Sequence, residues 1–150
     1  MVKEKITFKQ VTFSYDSEPV LEDVSFGIKE GEIITIVGPN GGGKTSLLKP
    51  ILGTVKPRKG KVLIDGAPPS MVQKKVGYVP QYLDYDKRFP MTVFDVVLTG
   101  RVKPFGFYTR SDRMKAENAL DEVGLLNKKD THFSNLSGGQ RQAIAIARAL

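Results

Sequence analysis

Apolar and polar residues alternate along two stretches near the start of the chain. A period of two residues is typical of strands with one buried face, so the sequence predicts two half-buried antiparallel strands. The alternating apolar residues are Ile6, Phe8, Val11, Phe13 and Tyr15 in the first stretch and Val24, Phe26 and Ile28 in the second.

A different pattern follows at residues 33–37, where apolar and β-branched residues run without interruption up to Gly38. A short unbroken run of this kind predicts a strand buried on both faces, as in a parallel sheet covered by helices. Residues 61–64 predict another strand that enters a tight turn at Asp65 and Gly66. Residues 76–79 predict one more, which ends at Pro80.

Helical spacing of apolar residues dominates the second half of the chain. Helices are predicted at 92–100, at 111–123 with Gly124 as the cap, and over 141–150, and one more runs from about Gly43 toward Gly53. Residues 1–81 are therefore predicted to be sheet-rich and 82–150 mostly helical, within one α/β domain. The helix-spaced residues are Val93, Val96 and Val97, then Met114, Ala119, Leu120 and Val123.

Composition narrows the class of protein. The chain has 150 residues, 40% of them hydrophobic, which is enough to bury a core. Neither a long uncharged apolar run nor an apolar N-terminal signal is present, so we expect no membrane span and no export by that route. The chain has no cysteine, which excludes disulfides and thiolate metal sites.

The chain is basic, with a formal net charge of +7 and a pI near 9.6. Such a charge suits an anionic partner, either nucleic acid or a membrane surface. The lysines and arginines are scattered, however, a pattern that favours a solvated face over a nucleic-acid groove. We therefore expect no nucleic-acid partner.

A glycine-rich loop follows the apolar run at 33–37. Residues 38–45 fit the pattern G-x-x-x-x-G-K-[ST], in which backbone N–H groups wrap the phosphates of a nucleotide. The alternative is a glycine-rich turn that precedes a lysine by chance, and the predicted strand and helix on either side favour the phosphate loop. The predicted nucleotide-binding residues are Gly38, Pro39, Asn40, Gly41, Gly42, Gly43, Lys44, Thr45 and Ser46.

Two side chains of this loop are suited to particular tasks. Lys44 is placed to neutralise β- and γ-phosphate oxygens, and the Thr45 hydroxyl is suited to ligate Mg²⁺. The loop by itself therefore predicts a nucleoside triphosphate with Mg²⁺, without indicating which base.

A second glycine motif, Leu136-Ser137-Gly138-Gly139-Gln140, precedes the last predicted helix. Ser137 and Gln140 have capping-box spacing, which explains both residues without any function. A cap does not need two glycines, which destabilise a helix relative to alanine but leave bare N–H groups open to an anion. Phosphate contact is the functional interpretation.

With both motifs in this order, the chain resembles the ATP-binding subunits of ABC transporters over essentially its whole length. The resemblance implies an ABC-type ATPase fold with an antiparallel β subdomain and a helical subdomain. It also implies a head-to-tail dimer with two ATP molecules at the interface, in which Ser137, Gly139 and Gln140 contact the γ-phosphate held by the other copy.

The resemblance assigns two further residues. Tyr15 lies where the family has an aromatic residue that stacks on adenine, although a plain edge-strand tyrosine would fit the same alternation. Gln81 matches the glutamine that senses Mg²⁺ and the attacking water. Met91, Phe94, Phe105, Phe107 and Tyr108 are expected in the core or in a groove for the membrane subunit.

Residues 89–101 and 119–125 resemble subunits of bacterial zinc and manganese importers, with iron-chelate and cobalamin importers as alternatives. The implied partners are permease subunits and, indirectly, a solute-binding protein, at the cytoplasmic face of the inner membrane. Two other functions stay open, namely a non-hydrolysing module that dimerises on ATP and a nucleic-acid-associated ABC ATPase.

Several features depart from the family or carry no motif. Ala143 stands where an arginine is usual, and Pro50 is expected to remove one hydrogen bond from its helix and kink it. His132 is interpreted as a surface residue without a metal, and Asp84, Asp86, Asp112 and Asp121 as solvated.

The chain stops in mid-helix at Leu150 without a stop signal. The resemblance implies a following strand with an aspartate, a catalytic glutamate and a switch histidine. Residues 1–150 alone are therefore expected to bind nucleotide and to hydrolyse it poorly.

Overall fold

The computed structural model describes residues 4–15, 18–81, 90–101 and 107–150. They form two compact units that divide between Val76 and Gly77. The first is built on a sheet and the second on helices. The single domain predicted for residues 1–150 stays a prediction. Among the described residues, no helix combines the length and apolar character that crossing a membrane requires.

The first unit contains a three-stranded antiparallel sheet. Its strands are β1 (Glu4–Ser14), β2 (Pro19–Lys29) and β3 (Lys59–Ile64), in the spatial order β2-β1-β3. The two alternating stretches and the strand predicted at 61–64 are thus confirmed. Phe8 and Val11 on β1 and Val62 on β3 are buried, and the Phe8 ring stacks on Phe26 with centroids 4.5 Å apart.

A bulge interrupts β1 at Gln10. Phe8 pairs with Phe26 and Val11 with Val24, so β1 carries one residue more than β2 between these pairs. Gln10 has a positive φ of 50°, and its N–H donates to Ser25 Oγ. The extra residue explains why the apolar alternation skips a position between Phe8 and Val11.

Two helices complete the first unit. Helix α1 (Lys44–Ile51) packs Leu47 and Ile51 against the sheet core, and the short α2 (Pro69–Val72) leads into a 3₁₀ turn at Gln73–Lys75. Pro50 lies inside α1 and is fully buried. Because proline has no N–H, the bond to the Ser46 carbonyl is missing, and α1 ends one residue later.

The second unit is a small helical bundle. Helices α3 (Val93–Leu98), α4 (Arg110–Glu122) and α5 (Gly138–Ala149) are joined by 3₁₀ turns at Thr99–Arg101, Leu126–Lys128 and Phe133–Asn135. The helices predicted in this region are confirmed. The most deeply buried side chains of its core are Val93, Ala116, Leu120, Leu136, Ile144 and Ala147.

Capping boxes begin α3 and α4. The hydroxyls of Thr92 and Thr109 accept from the N–H groups of Asp95 and Asp112, whose carboxylates accept from the two threonines in return. Asp112 was expected to be solvated; it is half-buried, and its carboxylate also accepts from the Thr109 N–H in the capping box of α4. Two glycines let other backbone approach the end of α5: a Cβ on Gly77 would lie 2.6 Å from the Ala149 carbonyl oxygen, and one on Gly100 would overlap that of Arg148.

Two predicted strands are not observed. Residues 33–37 form no strand, and Ile33 and Val37 are 94% and 87% exposed. Residues 76–79 are also outside any strand. A strand needs a neighbour to satisfy its N–H and C=O groups, and none of the described strands pairs with either run. The apolar run indicates the tendency to form a strand, but no pairing partner realises it here.

The residues expected in the core or in a partner groove differ in burial. Met91 and Phe94 are partly buried against the core of the second unit, whereas Phe107 is 96% exposed and Tyr108 is exposed as well. Met114, one of the helix-spaced residues of α4, is 54% exposed, and the buried face of α4 is formed by Ala116, Ala119 and Leu120. The interpretations of Asp84, Asp86 and Phe105 concern residues outside those described.

His132 was expected on the surface, and this is wrong because its side chain is half-buried. Its ring accepts from the N–H of Ser134 and lies 2.5 Å, Nδ1 to Oγ, from that hydroxyl. His132 therefore caps the 3₁₀ turn at Phe133–Asn135. Within the described part of the chain, no group of three or more His, Cys, Asp or Glu side chains is arranged to hold a metal ion.

The hairpin after β3 carries an ion-pair cluster. Asp65 and Gly66 both have positive φ, as a two-residue hairpin turn requires. The Asp65 carboxylate lies 3.1 Å from Lys5 Nζ and 3.4 Å from Lys75 Nζ. A hydrogen bond and charge from Lys5, with a smaller contribution from Lys75, lower the pKa of Asp65.

Asp65→Asn should lower stability in a pH-dependent way. Asparagine tolerates a positive φ as aspartate does, so the change removes the charge and keeps the turn. Because the folded-state pKa of Asp65 is lowered, its contribution is present above the pKa of the unfolded chain and is lost as pH falls through the folded pKa. We expect the variant to unfold at lower urea concentration than the wild type at pH 7, with the difference closing in acid. The exposed Glu22→Gln on β2 is the control, and a difference that persists unchanged at acid pH would contradict the ion-pair account.

Candidate functional site

The glycine loop connects the exposed run at 33–37 to α1. Residues 38–43 contain no helix or strand, and the Gly42 N–H donates to the Pro39 carbonyl at 3.1 Å. Gly41 and Gly43 have φ of 81° and 77°, in the left-handed region that favours glycine. The loop is exposed along its length, with Gly43 half-buried where the helix begins.

The glycines leave little room for a side chain at two positions. A Cβ on Gly42 would lie 3.1 Å from the Pro39 carbonyl oxygen, and one on Gly43 would lie 3.2 Å from that of Val20. Gly41 has open space but a positive φ. The loop backbone is thus bare, and its N–H groups can be approached closely.

Lys44 crosses the loop from the first position of α1. Its ammonium donates to the carbonyl oxygens of Gly38 at 2.8 Å and Pro39 at 2.6 Å. An ammonium has three N–H donors, so these two bonds leave one for a further acceptor. The positive charge therefore lies over the loop, at the N-terminal and positive end of the α1 dipole.

Thr45 and Ser46 follow in the first turn of α1 and differ in exposure. Thr45 is exposed, whereas Ser46 is buried, with 9% of its surface accessible. The exposed loop backbone, the Lys44 ammonium and the exposed Thr45 hydroxyl therefore supply hydrogen-bond donors on the surface at the start of α1. Such a surface fits a phosphate group, because anions bind where orphan N–H groups and a helix dipole coincide.

Tyr15 lies directly after β1, and its side chain contacts two residues of α1. Its hydroxyl is 3.2 Å from Ser46 Oγ, and Lys49 Nζ is 4.6 Å from the ring centroid. The ring makes an edge contact with Phe13, with centroids 4.9 Å apart. Hydrogen bonds from Lys49 and Ser46, together with the Lys49 charge, lower the pKa of the Tyr15 hydroxyl. Tyr15 as a whole residue is 53% exposed, so it has surface left for a ligand.

Sequence reasoning missed Lys49. Ser46 and Lys49 are three residues apart, so they share a face of α1. That spacing was readable from the sequence, but the contact with Tyr15 also depends on how α1 packs on the sheet.

The second glycine motif forms the start of α5. Ser137 is the N-cap: its hydroxyl accepts from the Gln140 N–H at 3.3 Å, and the Gln140 side chain accepts from the Ser137 N–H at 3.1 Å. The capping-box interpretation is confirmed. It leaves Gly138 and Gly139 unexplained, since a Cβ on either would meet nothing within 4 Å and neither has a positive φ.

The predicted site residues fall in both units. The loop residues 38–46 and Tyr15 are in the first unit, whereas Gln81 and residues 136–140 are in the second. The structure brings together Tyr15, Ser46 and the loop, and separately Ser137 and Gln140. Gln81 is exposed. Any joint action of Gln81 or residues 137–140 with the loop stays a prediction.

Comparison with known proteins gives consistent matches. A family model described as ABC transporter matches residues 21–150. The zinc transport system ATP-binding protein TroB of Treponema pallidum is 44% identical over 143 residues, which cover 93% of this chain and 54% of that protein. The manganese transport system ATP-binding protein MntB of Bacillus subtilis is 40% identical over 148 residues, covering 97% and 59%.

A solved structure agrees with these sequences. The dimeric structure of a bacterial ABC transporter cassette superposes with a TM-score of 0.78 at 32% identity, over 97% of this chain and 68% of that one. The chain spans somewhat more than half the length of the curated relatives described above.

Proposed function

The chain belongs to the ABC transporter family, and we propose that it is the nucleotide-binding part of an importer's ATPase subunit. The observation that carries the proposal is the loop at 38–45. There the bare glycine backbone, the Lys44 ammonium and the start of α1 meet in one donor surface. The substrate of this site is ATP, whose triphosphate is the polyanion such a surface accepts.

Magnesium is proposed as the ion that accompanies the bound ATP. Thr45 presents an exposed hydroxyl in the first turn of α1, whereas Gln81 is exposed in the second unit and its role as a ligand stays a separate prediction. Hydroxyl and amide oxygens are ligands that Mg²⁺ accepts, usually with water and phosphate oxygens in the other positions. When bound, the ion neutralises charge on the phosphates. The protein's own part is to hold the triphosphate with backbone N–H groups and Lys44.

The second motif is proposed to act on the nucleotide of another copy. Gly138 and Gly139 begin α5 without a steric or conformational need for glycine, so their exposed N–H groups are free to approach an anion. In a head-to-tail dimer, Ser137, Gly139 and Gln140 would contact the γ-phosphate held by the partner's loop. ATP then joins the two copies, and hydrolysis separates them.

The solute is proposed to be a divalent metal ion. Two relatives are named as zinc and manganese transport proteins, which supports that class of cargo. The subunit would lie at the cytoplasmic face of the membrane, bound to permease subunits that receive solute from a binding protein.

Lys44→Ala should weaken ATP binding by about tenfold or more. The variant removes an ammonium that donates to phosphate oxygens, and hydrogen bonds to charged groups are each worth roughly 1.5–3 kcal/mol. The measurement is the Kd of Mg-ATP by calorimetry. Lys61→Ala, on the exposed part of β3, removes the same charge away from the loop and is the control. Equal affinity in the Lys44 variant and the wild type would refute the nucleotide site.

Gly139→Ala should separate stability from function. Since a Cβ has open space there, alanine is expected to stabilise α5 by up to about 1 kcal/mol. If the glycine is kept for close approach to phosphate, the same variant should lose ATP-dependent dimerisation. The exposed Gln142→Ala on α5 also raises helix propensity and should dimerise normally.

The readouts for this pair are urea denaturation and sedimentation with Mg-ATP. A Gly139 variant that is stabilised and still dimerises would remove the phosphate-contact role. ATP-dependent dimerisation without phosphate release by the protein at its natural length would instead favour a non-hydrolysing module.

Loss of the subunit should abolish zinc or manganese uptake by the cell. Uptake of each radiolabelled ion is measured in cells that lack the gene and in cells complemented with the wild type or Lys44→Ala. Only the wild type should restore transport. Unchanged uptake of both ions in the deletion strain would refute the metal assignment while leaving the ATP site intact.

A further inference from the structure

The Tyr15 side chain contacts α1, the helix that begins at the glycine loop. Its hydroxyl contacts Ser46 and its ring lies beside the Lys49 ammonium, and both partners are on α1. We propose that Lys49 is a positioning residue that holds the Tyr15 ring in place as the platform for the base of the bound nucleotide. This inference rests on the ATP site proposed above and adds a residue that the glycine loop motif does not contain.

The contacts hold Tyr15 at its hydroxyl and at its ring, and about half of the residue stays exposed. Ser46 is buried and Lys49 is half-buried, so both are fixed more firmly than surface side chains. Phe13, also buried, supports the ring from its own strand. Half-exposed Tyr15 is therefore the part of this cluster that a flat ligand can cover.

One short helix, α1, carries residues of both halves of the proposed site. Lys44 begins α1, and Ser46 and Lys49 follow within the next five residues, so a single rigid element carries the phosphate contacts and the two contacts to Tyr15. A tyrosine fixed by that helix would keep a constant separation between base and phosphates. Without Lys49, the exposed Tyr15 ring would have to become ordered when the nucleotide binds.

The expected size of the effect follows from that ordering. Immobilising a side chain on binding costs about 0.5–1.5 kcal/mol, which corresponds to a change in Kd of roughly twofold to tenfold. The effect should concern the base alone, because the phosphate contacts of the loop do not involve Lys49.

The test compares a ligand that has a base with one that has none. Kd values for Mg-ATP and for magnesium tripolyphosphate are measured by calorimetry on the protein at its natural length. The variant Lys49→Met keeps the length of the side chain and removes its charge, Lys49→Arg keeps the charge, and the exposed Lys61→Met is the control for loss of a cation.

Lys49→Met should bind ATP about twofold to tenfold more weakly and bind tripolyphosphate as the wild type does. Lys49→Arg should restore most of the loss, and Lys61→Met should change neither Kd. In a Tyr15→Ala background, Lys49→Met should have no further effect on ATP. Normal tripolyphosphate binding also shows that the variant is folded around its loop.

Other results overturn the proposal. Equal losses for both ligands would mean that Lys49 acts as a charge on the phosphates. An unchanged or tighter ATP affinity would mean that it does not position Tyr15, or that it occupies the place of the base. If the wild type and Lys44→Ala bound ATP with the same Kd, the nucleotide site and this inference would both be refuted. That result differs from the preceding ones, which concern Lys49 alone.

Discussion

The packing of α1 on the antiparallel sheet is the constraint on which the candidate site depends. Leu47 and Ile51 pack against the cluster of Phe8, Val11 and Val62, which fixes the helix along its length. The helix can start at Lys44 only because Gly43 takes up a left-handed conformation immediately before it. The core therefore sets where the bare N–H groups, the lysine and the dipole of α1 meet.

Local patterns predicted the elements that rely on local physics. The alternation on β1 and β2 and the apolar spacing on α3 and α4 correspond to observed elements, because one face of each is buried within its own unit. The apolar run at 33–37 does not correspond to an observed strand. A strand forms only when a second strand pairs with it, and the sequence of one strand does not identify its partner. Met114 illustrates a related point, because helical spacing predicts the helix but not the width of its buried stripe.

The site divides in the same way. Residues 38–45 could be proposed from spacing alone, because glycine loops act through backbone that is contiguous in sequence. The capping box at Ser137 and Gln140 is equally local. Lys49 was missed because its contact with Tyr15 joins two elements that lie 34 positions apart in the chain. A motif search therefore proposes residues that are contiguous in sequence more readily than contacts between elements that lie far apart in the chain.

Gly60 helps to fix the register between β1 and β3. This residue of β3 has a φ of 76°, and a Cβ there would overlap the carbonyl oxygens of Lys9 and Gln10 at the β1 bulge. The bulge can pack against β3 only where β3 has a glycine. A shift of the register by one residue would turn Phe8 out of the core. Because β1 and β3 must find each other across a long stretch of chain, a misaligned encounter has no such fit and is free to dissociate and try again.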